Sequence, residues 1–325
     1  MLKLVYNEHL GRLLREDDIE TIGKSTYSFI EEAIENDRPE EALSLLPYYL
    51  KELQIMHEIL MIWAQDIMRY LIRIDTGAEN SIADNLSAVI CRTWRDFELG
   101  LAPMQRLEAA VHDHDKESAT TWLERMWLDF KVPHDVLVAW INEMFAYLAQ
   151  DKEQHILDSI LETHQSIWGN RYEKWDLMTP WEKVALTVEG MRGHLSGQSR
   201  KGDVLVWEEE DRFVTAFDPC GTGGVLRRGD PETGRPPYQT EGMNKETQEW
   251  IWENKTGVHW YCSHCAIAME WLPGNQRGYV FRPLDHNMDH QAPCIWYVYK
   301  DEKNARAYHY PRTGLEIPIE AVHRI

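Results

Sequence analysis

Residues Pro39–Ile74 read PEEALSLLPYYLKELQIMHEILMIWAQDIMRYLIRI. Apolar side chains recur at three- and four-residue steps with few breakers, the spacing of one buried helical face. Pro47 removes a backbone donor and predicts a bend there. The next stretch, GAENSIADNLSAVICRTWRDFELG (77–100), keeps the same period between glycines. From about residue 16 to 195 the chain reads as helical, the last helix lying in MTPWEKVALTVEGMRGHLSG (178–197).

This helical stretch resembles itself. His57, Glu58, Leu60, Trp63, Tyr70 and Leu71 recur as His134, Asp135, Leu137, Trp140, Tyr147 and Leu148, an offset of 77. Glu79, Ile82, Asp84 and Trp94 recur as Glu153, Ile156, Asp158 and Trp168, an offset of 74. The expectation is a duplicated helical unit, about 31–98 and 108–172, forming a bundle in which each copy covers the other's apolar face. His57 and His134 are the repeated polar residues. They are read as lining a shared cleft, against the plainer reading that each bridges helices inside the bundle. Met56 precedes one and Pro133 the other, which predicts different helix starts.

After the turn SGQSRKGD (196–203) the pattern changes. Short runs rich in Val, Phe, Tyr and Trp follow: DVLVWEE, DRFVTAF, GVHWYCS, GYVFRP and CIWYVYK. They predict a small, mainly antiparallel sheet. NKETQEWIWENKTG and CAIAMEWLPG are expected as short helices. The fold class is therefore α+β, with an all-α domain over 1–197 and a smaller mixed domain over 198–325.

Four of the five cysteines lie in that second part, as C-x41-C-x2-C-x28-C: Cys220, Cys262, Cys265 and Cys294. Cys91 stands alone in a helical pattern and reads as a buried apolar side chain. An odd count argues against a disulfide framework. A C-x2-C pair at the start of a helix lets two thiolates face one ion, and two more cysteines complete a tetrahedron. Zinc is the expected metal; a 4Fe-4S cluster satisfies the same count. A thiol-redox pair and free structural thiols are the other readings. His264 and His290 are the candidate acid–base groups, and RPLDHNMDHQAPC (282–294) brings His286 and Asp289 as well. In CGTGG (220–224) the glycines admit a turn whose N–H groups converge on an anion, or one that merely returns Cys220 to its metal. Gly223, Arg228 and Trp260 are the candidate substrate-binding residues, and RRGDPETGRPPYQTEG (227–242) a candidate lid.

The net charge of −20 argues against a nucleic-acid partner or an anionic membrane surface. No apolar run has the length of a membrane span. The first residues, MLKLVYNEHLGRLLRED, lack a signal peptide's apolar core, so a cytoplasmic location is expected. G-x-S-x-G, H-E-x-x-H and G-x-G-x-x-G motifs are missing. The resulting expectation is a zinc-dependent hydrolase or lyase acting on a small anionic or aromatic molecule held between the two domains. A ligand-binding sensor with a structural four-cysteine zinc and an iron–sulfur redox protein are the alternatives.

Overall fold

The first element is one that helical periodicity does not announce: an antiparallel hairpin of β1 (Lys3–Asn7) and β2 (Arg12–Glu16). Gly11, at a φ of 66°, makes its turn, and the Asn7 side chain accepts the Leu10 N–H. The structure, a computed structural model, describes residues 2–95, 98–167, 171–231, 234–238, 242–252, 255–285, 287, 289–301, 305 and 309–310; of 89–95, 165–167 and 171 it describes the backbone alone.

Among the described residues the helices that follow are α1 (Thr26–Glu35), α2 (Pro39–Thr76), α3 (Asn80–Arg95), α4 (Leu101–His112), α5 (Lys116–Asp151), α6 (Gln154–Ile167), α7 (Arg171–Asp176) and α8 (Pro180–Gly193). Local signals set their ends. Ser25 and Asp115 cap α1 and α5 by accepting N–H groups three residues on. Thr179 and Glu182 form a capping box on α8, and Gly77 ends α2 in the left-handed region. α2 continues through Pro47 and α5 through Pro133. His57 and His134 therefore both lie inside helices, and neither marks a helix start. Each proline costs one ladder bond, and the buried apolar stripe of a long helix outweighs it.

The described residues of the second part form a four-stranded antiparallel sheet, ordered β3 (Leu205–Glu208), β4 (Arg212–Phe217), β6 (Cys294–Tyr299), β5 (Leu284–Asp285). DVLVWEE, DRFVTAF and CIWYVYK become strands as expected. GVHWYCS does not: apart from a single bridge, Met243 to His259, it turns at once into α10 (Trp260–Cys265). A short apolar run has no period that separates a strand from a buried helix. GYVFRP also stays out of the sheet, because the Phe281 and Arg282 N–H groups bond to the Met269 carbonyl. In NKETQEWIWENKTG the described residues form turns around Asn244. Its side chain donates to the Glu246 and Lys255 carbonyls and accepts the Val258 N–H, replacing the bonds a helix would use. CAIAMEWLPG is helical, as a π-turn segment (Ala266–Trp271) leading into α11 (Leu272–Arg277). Among the described residues no helix is long and apolar enough to cross a membrane.

Alternation along β6 sorts its side chains. Cys294, Trp296 and Val298 face the main core, and Ile295, Tyr297 and Tyr299 a smaller one with Val214 and Tyr310. The main core does not stop at residue 197. Leu60, Trp63, Leu137 and Val188 of the helices share it with Phe217, Trp260, Ile267 and Val298.

Candidate functional site

Three pieces of chain carry the four cysteines to one place. β4 pairs with β6 so that Phe217 lies opposite Cys294, and the turn after Phe217 brings Cys220 back beside it. α9 (Gly223–Arg228) then departs from that turn. Cys262 and Cys265, three apart on α10, share a helical face. The start of α10 is held by α5: the buried Asn142 side chain accepts the Tyr261 N–H at 2.9 Å.

Close contact accounts for two glycines of CGTGG. A Cβ on Gly221 would lie 1.7 Å from the His194 carbonyl oxygen, and one on Gly223 would lie 2.3 Å from the Cys262 Sγ. Gly223 thus makes room for a cysteine.

Cys220, Cys262 and Cys294 are buried, Cys265 is half-buried, and all four are free thiols. Arg227, fully buried, donates to the Cys294 Sγ at 3.0 Å and to the Asn287 carbonyl at 3.0 Å. Burial opposes its charge, and the neighbouring thiols of Cys294, Cys262 and Cys220 outweigh burial and keep it protonated. The Cys220 thiol is pulled well below its usual range. It receives the Cys294 hydrogen bond first, then the Thr222 hydroxyl, 3.2 Å away, and the N–H groups of Gly224 and Thr222. Cys294, as donor in that pair, moves up, and burial adds to it. Burial pushes Cys262 up to about 12 and raises Cys265 as well.

The cluster borders a cleft of about 300 Å³ between the helices and the sheet-bearing part. Cys220, Thr222, Tyr261, His264 and Cys265 line it, together with Ile55, Met56 and Ile59 of α2 and Glu189 and His194 from α8 and its end. Leu10 and Arg12 of the hairpin, with Arg12 bonded to Glu189 at 2.7 Å, border it too. Its volume is at the low end of ligand pockets, about 300–1,000 Å³.

His264 lines this cleft and stacks at 4.6 Å on Trp63. The other proposed residues do not reach it. His57 packs edge-on against Phe130 at 6.3 Å. His134 is buried, one ring behind the wall: its Nε2 meets the His194 Nδ1 at 3.2 Å. His290 lies 5.9 Å from the His259 ring, outside the cleft. Trp260 is buried against Trp250. Arg228 pairs with Asp218 at 2.6 Å and donates to the Gln291 carbonyl at 2.6 Å, so its charge holds the 289–291 loop. Asp289 accepts the Gln291 N–H there, which is turn chemistry. None of the described residues of 229–242 lines the cleft, and Asp230 of that loop is buried against Lys131 at 2.5 Å. His286, Trp168 and the side chains of Cys91 and Trp94 lie outside the described residues.

Among the described residues, no three His, Cys, Asp or Glu side chains close together as a metal ion's ligand shell. The donor chemistry nevertheless fits a thiophilic metal. Four thiols come from three distant segments, three of them around one buried cation, Arg227, and a glycine is required where one sulfur sits. The sequence pointed to every one of these cysteines; it did not single out His194. No family model matches the chain, and no curated protein or solved structure matches it.

Proposed function

We propose that the chain is a metal-dependent enzyme of the cytoplasm, a hydrolase or lyase acting on a small molecule in the cleft, with Cys220, Cys262, Cys265 and Cys294 as zinc ligands. The observation that carries this reading is the gathering of four thiols from three sequence-distant segments at the wall of the cleft, two of them lining it. Four thiolates close a zinc shell, so zinc would supply Lewis acidity or an activated water there only with Cys294 yielding its position to water or substrate. The chain supplies the rest. His264 stands next to Cys265, its Nδ1 4.0 Å from that sulfur, as an acid–base group within the cleft. Ile59, Trp175, Met178 and Trp296 enclose an apolar or aromatic portion of the substrate. Arg227 offsets the charge of the thiolates and donates to Cys294. The small molecule is the proposed partner; the acidic surface disfavours nucleic acid.

An iron–sulfur cluster is the second reading, favoured by one observation. Four cysteines in one region meet the ligand count of a 4Fe-4S centre as well as that of zinc. Elemental analysis and a visible spectrum, on protein purified anaerobically without a metal-affinity tag, separate the readings. About one zinc per chain, lost in Cys262→Ser, is the expected result. Iron with labile sulfide and a brown colour replaces zinc by the cluster. Protein free of both overturns the metal reading.

We also propose that the helical part arose by duplication. Two observations support it. The offset of 77 carries the first residue of α2, Pro39, onto the first of α5, Lys116; the offset of 74 carries the start of α3, Asn80, onto that of α6, Gln154.

A further inference from the structure

Behind the cleft wall at the end of α8 lies a chain of polar groups that ends on a cleft residue. Asp135, on α5, is enclosed by donors: Arg200 at 2.7 Å, Lys131 at 3.5 Å and the His134 Nδ1 at 3.0 Å. The His134 Nε2 meets the Nδ1 of His194 at 3.2 Å. His194, at the end of α8, is half-buried and lines the cleft together with Cys220 and Thr222. Arg200 also donates to the carbonyls of Leu195 at 2.8 Å and Gly221 at 3.4 Å, locking the network to the backbone on both sides of His194 and Cys220.

Protonation along this chain follows from its chemistry. Burial favours a neutral Asp135, but the His134 and Arg200 hydrogen bonds outweigh it and keep the carboxylate ionised. An ionised carboxylate only accepts, so the His134 Nδ1 carries a hydrogen. Burial, with Arg200 beside it, keeps His134 neutral, so its Nε2 is a lone pair. The proton between the rings therefore belongs to the His194 Nδ1, which leaves the Nε2 as the atom through which His194 takes up a proton. Each step fixes the next, as a second partner fixes a histidine tautomer elsewhere.

We infer that His194 is a proton acceptor of the cleft, set in its Nδ1–H tautomer by the Asp135–His134 pair acting as positioning residues. This rests on the reading of the cleft as an active site. In the step itself the O–H or S–H bond of a bound ligand or water breaks. Its proton goes to the His194 Nε2 and the electron pair stays on the ligand atom. The imidazolium formed keeps its Nδ1–H bond to His134, whose own Nδ1–H points at the Asp135 carboxylate.

The test reads tautomers directly. Protein with 15N-labelled histidine gives long-range proton–nitrogen correlations that distinguish Nδ1–H from Nε2–H; His194→Gln and His134→Gln assign the two rings. The expected result is Nδ1–H at both. In His134→Phe, His194 loses its acceptor and moves to Nε2–H, the tautomer preferred by free imidazole side chains. Wild-type His194 carrying its proton on Nε2 overturns the inference, whether or not the variant folds. Diethyl pyrocarbonate, which acylates unprotonated imidazole nitrogen, tests access: His194 is expected to be modified in the native protein. Modification of exposed His112 alone also overturns it. Neither readout depends on metal. Metal-free protein with both rings Nδ1–H sinks the proposed function alone, and metal-loaded protein with His194 Nε2–H sinks the relay alone.

Discussion

Single residues at this site are constrained by contact, and two glycines show how differently. Gly223→Ala places a methyl on the Cys262 sulfur, with 2.3 Å between them. Since α9 and α10 both belong to the packed core, the expected cost is about 1–3 kcal/mol of stability, the range for overpacking. A lower metal content should accompany it. Gly190→Ala, in α8 with nothing within 4 Å of the added carbon, should instead gain about 0.5–1 kcal/mol from helix propensity. Denaturant titration of both variants checks the contrast; equal behaviour would mean that the Cys220 turn can yield. His259 gives a pH-dependent prediction. It is fully buried, and burial first, then His290 and Arg227, lowers its pKa to about 3. The unfolded chain takes up a proton near the ordinary histidine value of about 6.5. Stability from the neutral ring is thus whole above that value and declines as the pH falls from there toward 3, because the unfolded state binds the proton first. His259→Phe should flatten this acid limb between pH 7 and 5 in urea titrations. An unchanged slope would place the uptake on other groups.

Elements are tied together by buried ion pairs as well as by apolar packing. Glu52 of α2 accepts from Arg192 of α8 at 2.6 Å and from Thr26 of α1 at 2.6 Å, and Arg192 also reaches the Ile22 carbonyl at 3.0 Å. All three side chains are buried. Glu52→Gln leaves the Arg192 charge without its counter-charge, so a loss of about 3–5 kcal/mol is expected by urea unfolding. A loss under 1 kcal/mol would mean that water reaches the pair. At this scale the helices were legible in the sequence, because a long apolar stripe of period 3.6 has few competing explanations. Pro47 and Pro133 were misleading, since a proline's local cost says nothing of the packing that offsets it. In the second part the aromatic-rich runs showed only that side chains would be buried. Whether GVHWYCS became strand or helix was settled by Asn142 from α5, a partner more than a hundred residues away. The hairpin of β1 and β2 was missed because apolar residues stay exposed on both its faces, Val5 on one and the paired Tyr6 and Leu13 on the other, blurring the alternation.

On the scale of the whole molecule, composition and packing divide the chain differently. The sequence changes character near residue 197, helical before and strand-rich after. The candidate site straddles that change: the cysteines follow it, whereas His194 precedes it and Asn142, Asp135 and His134 belong to α5. This is why the metal donors could be read from spacing while the cleft residues could not. C-x2-C is a local pattern, but His194 becomes notable only once α8 ends beside Cys220. The main core is continuous across the boundary, with Trp63, Val188, Phe217 and Trp260 in one buried cluster. Removing the second part would expose the apolar wall of α2 and α8, and removing the helices would strip α10 of its Asn142 cap. The two parts should therefore unfold together. Scanning calorimetry at constant metal content is expected to show one transition whose calorimetric and van't Hoff enthalpies agree, the signature of a single cooperative unit. Two resolved transitions, with the helical one unchanged by Cys262→Ser, would mean that the shared core contributes little. The cleft would then lie between parts free to move rather than inside one rigid body.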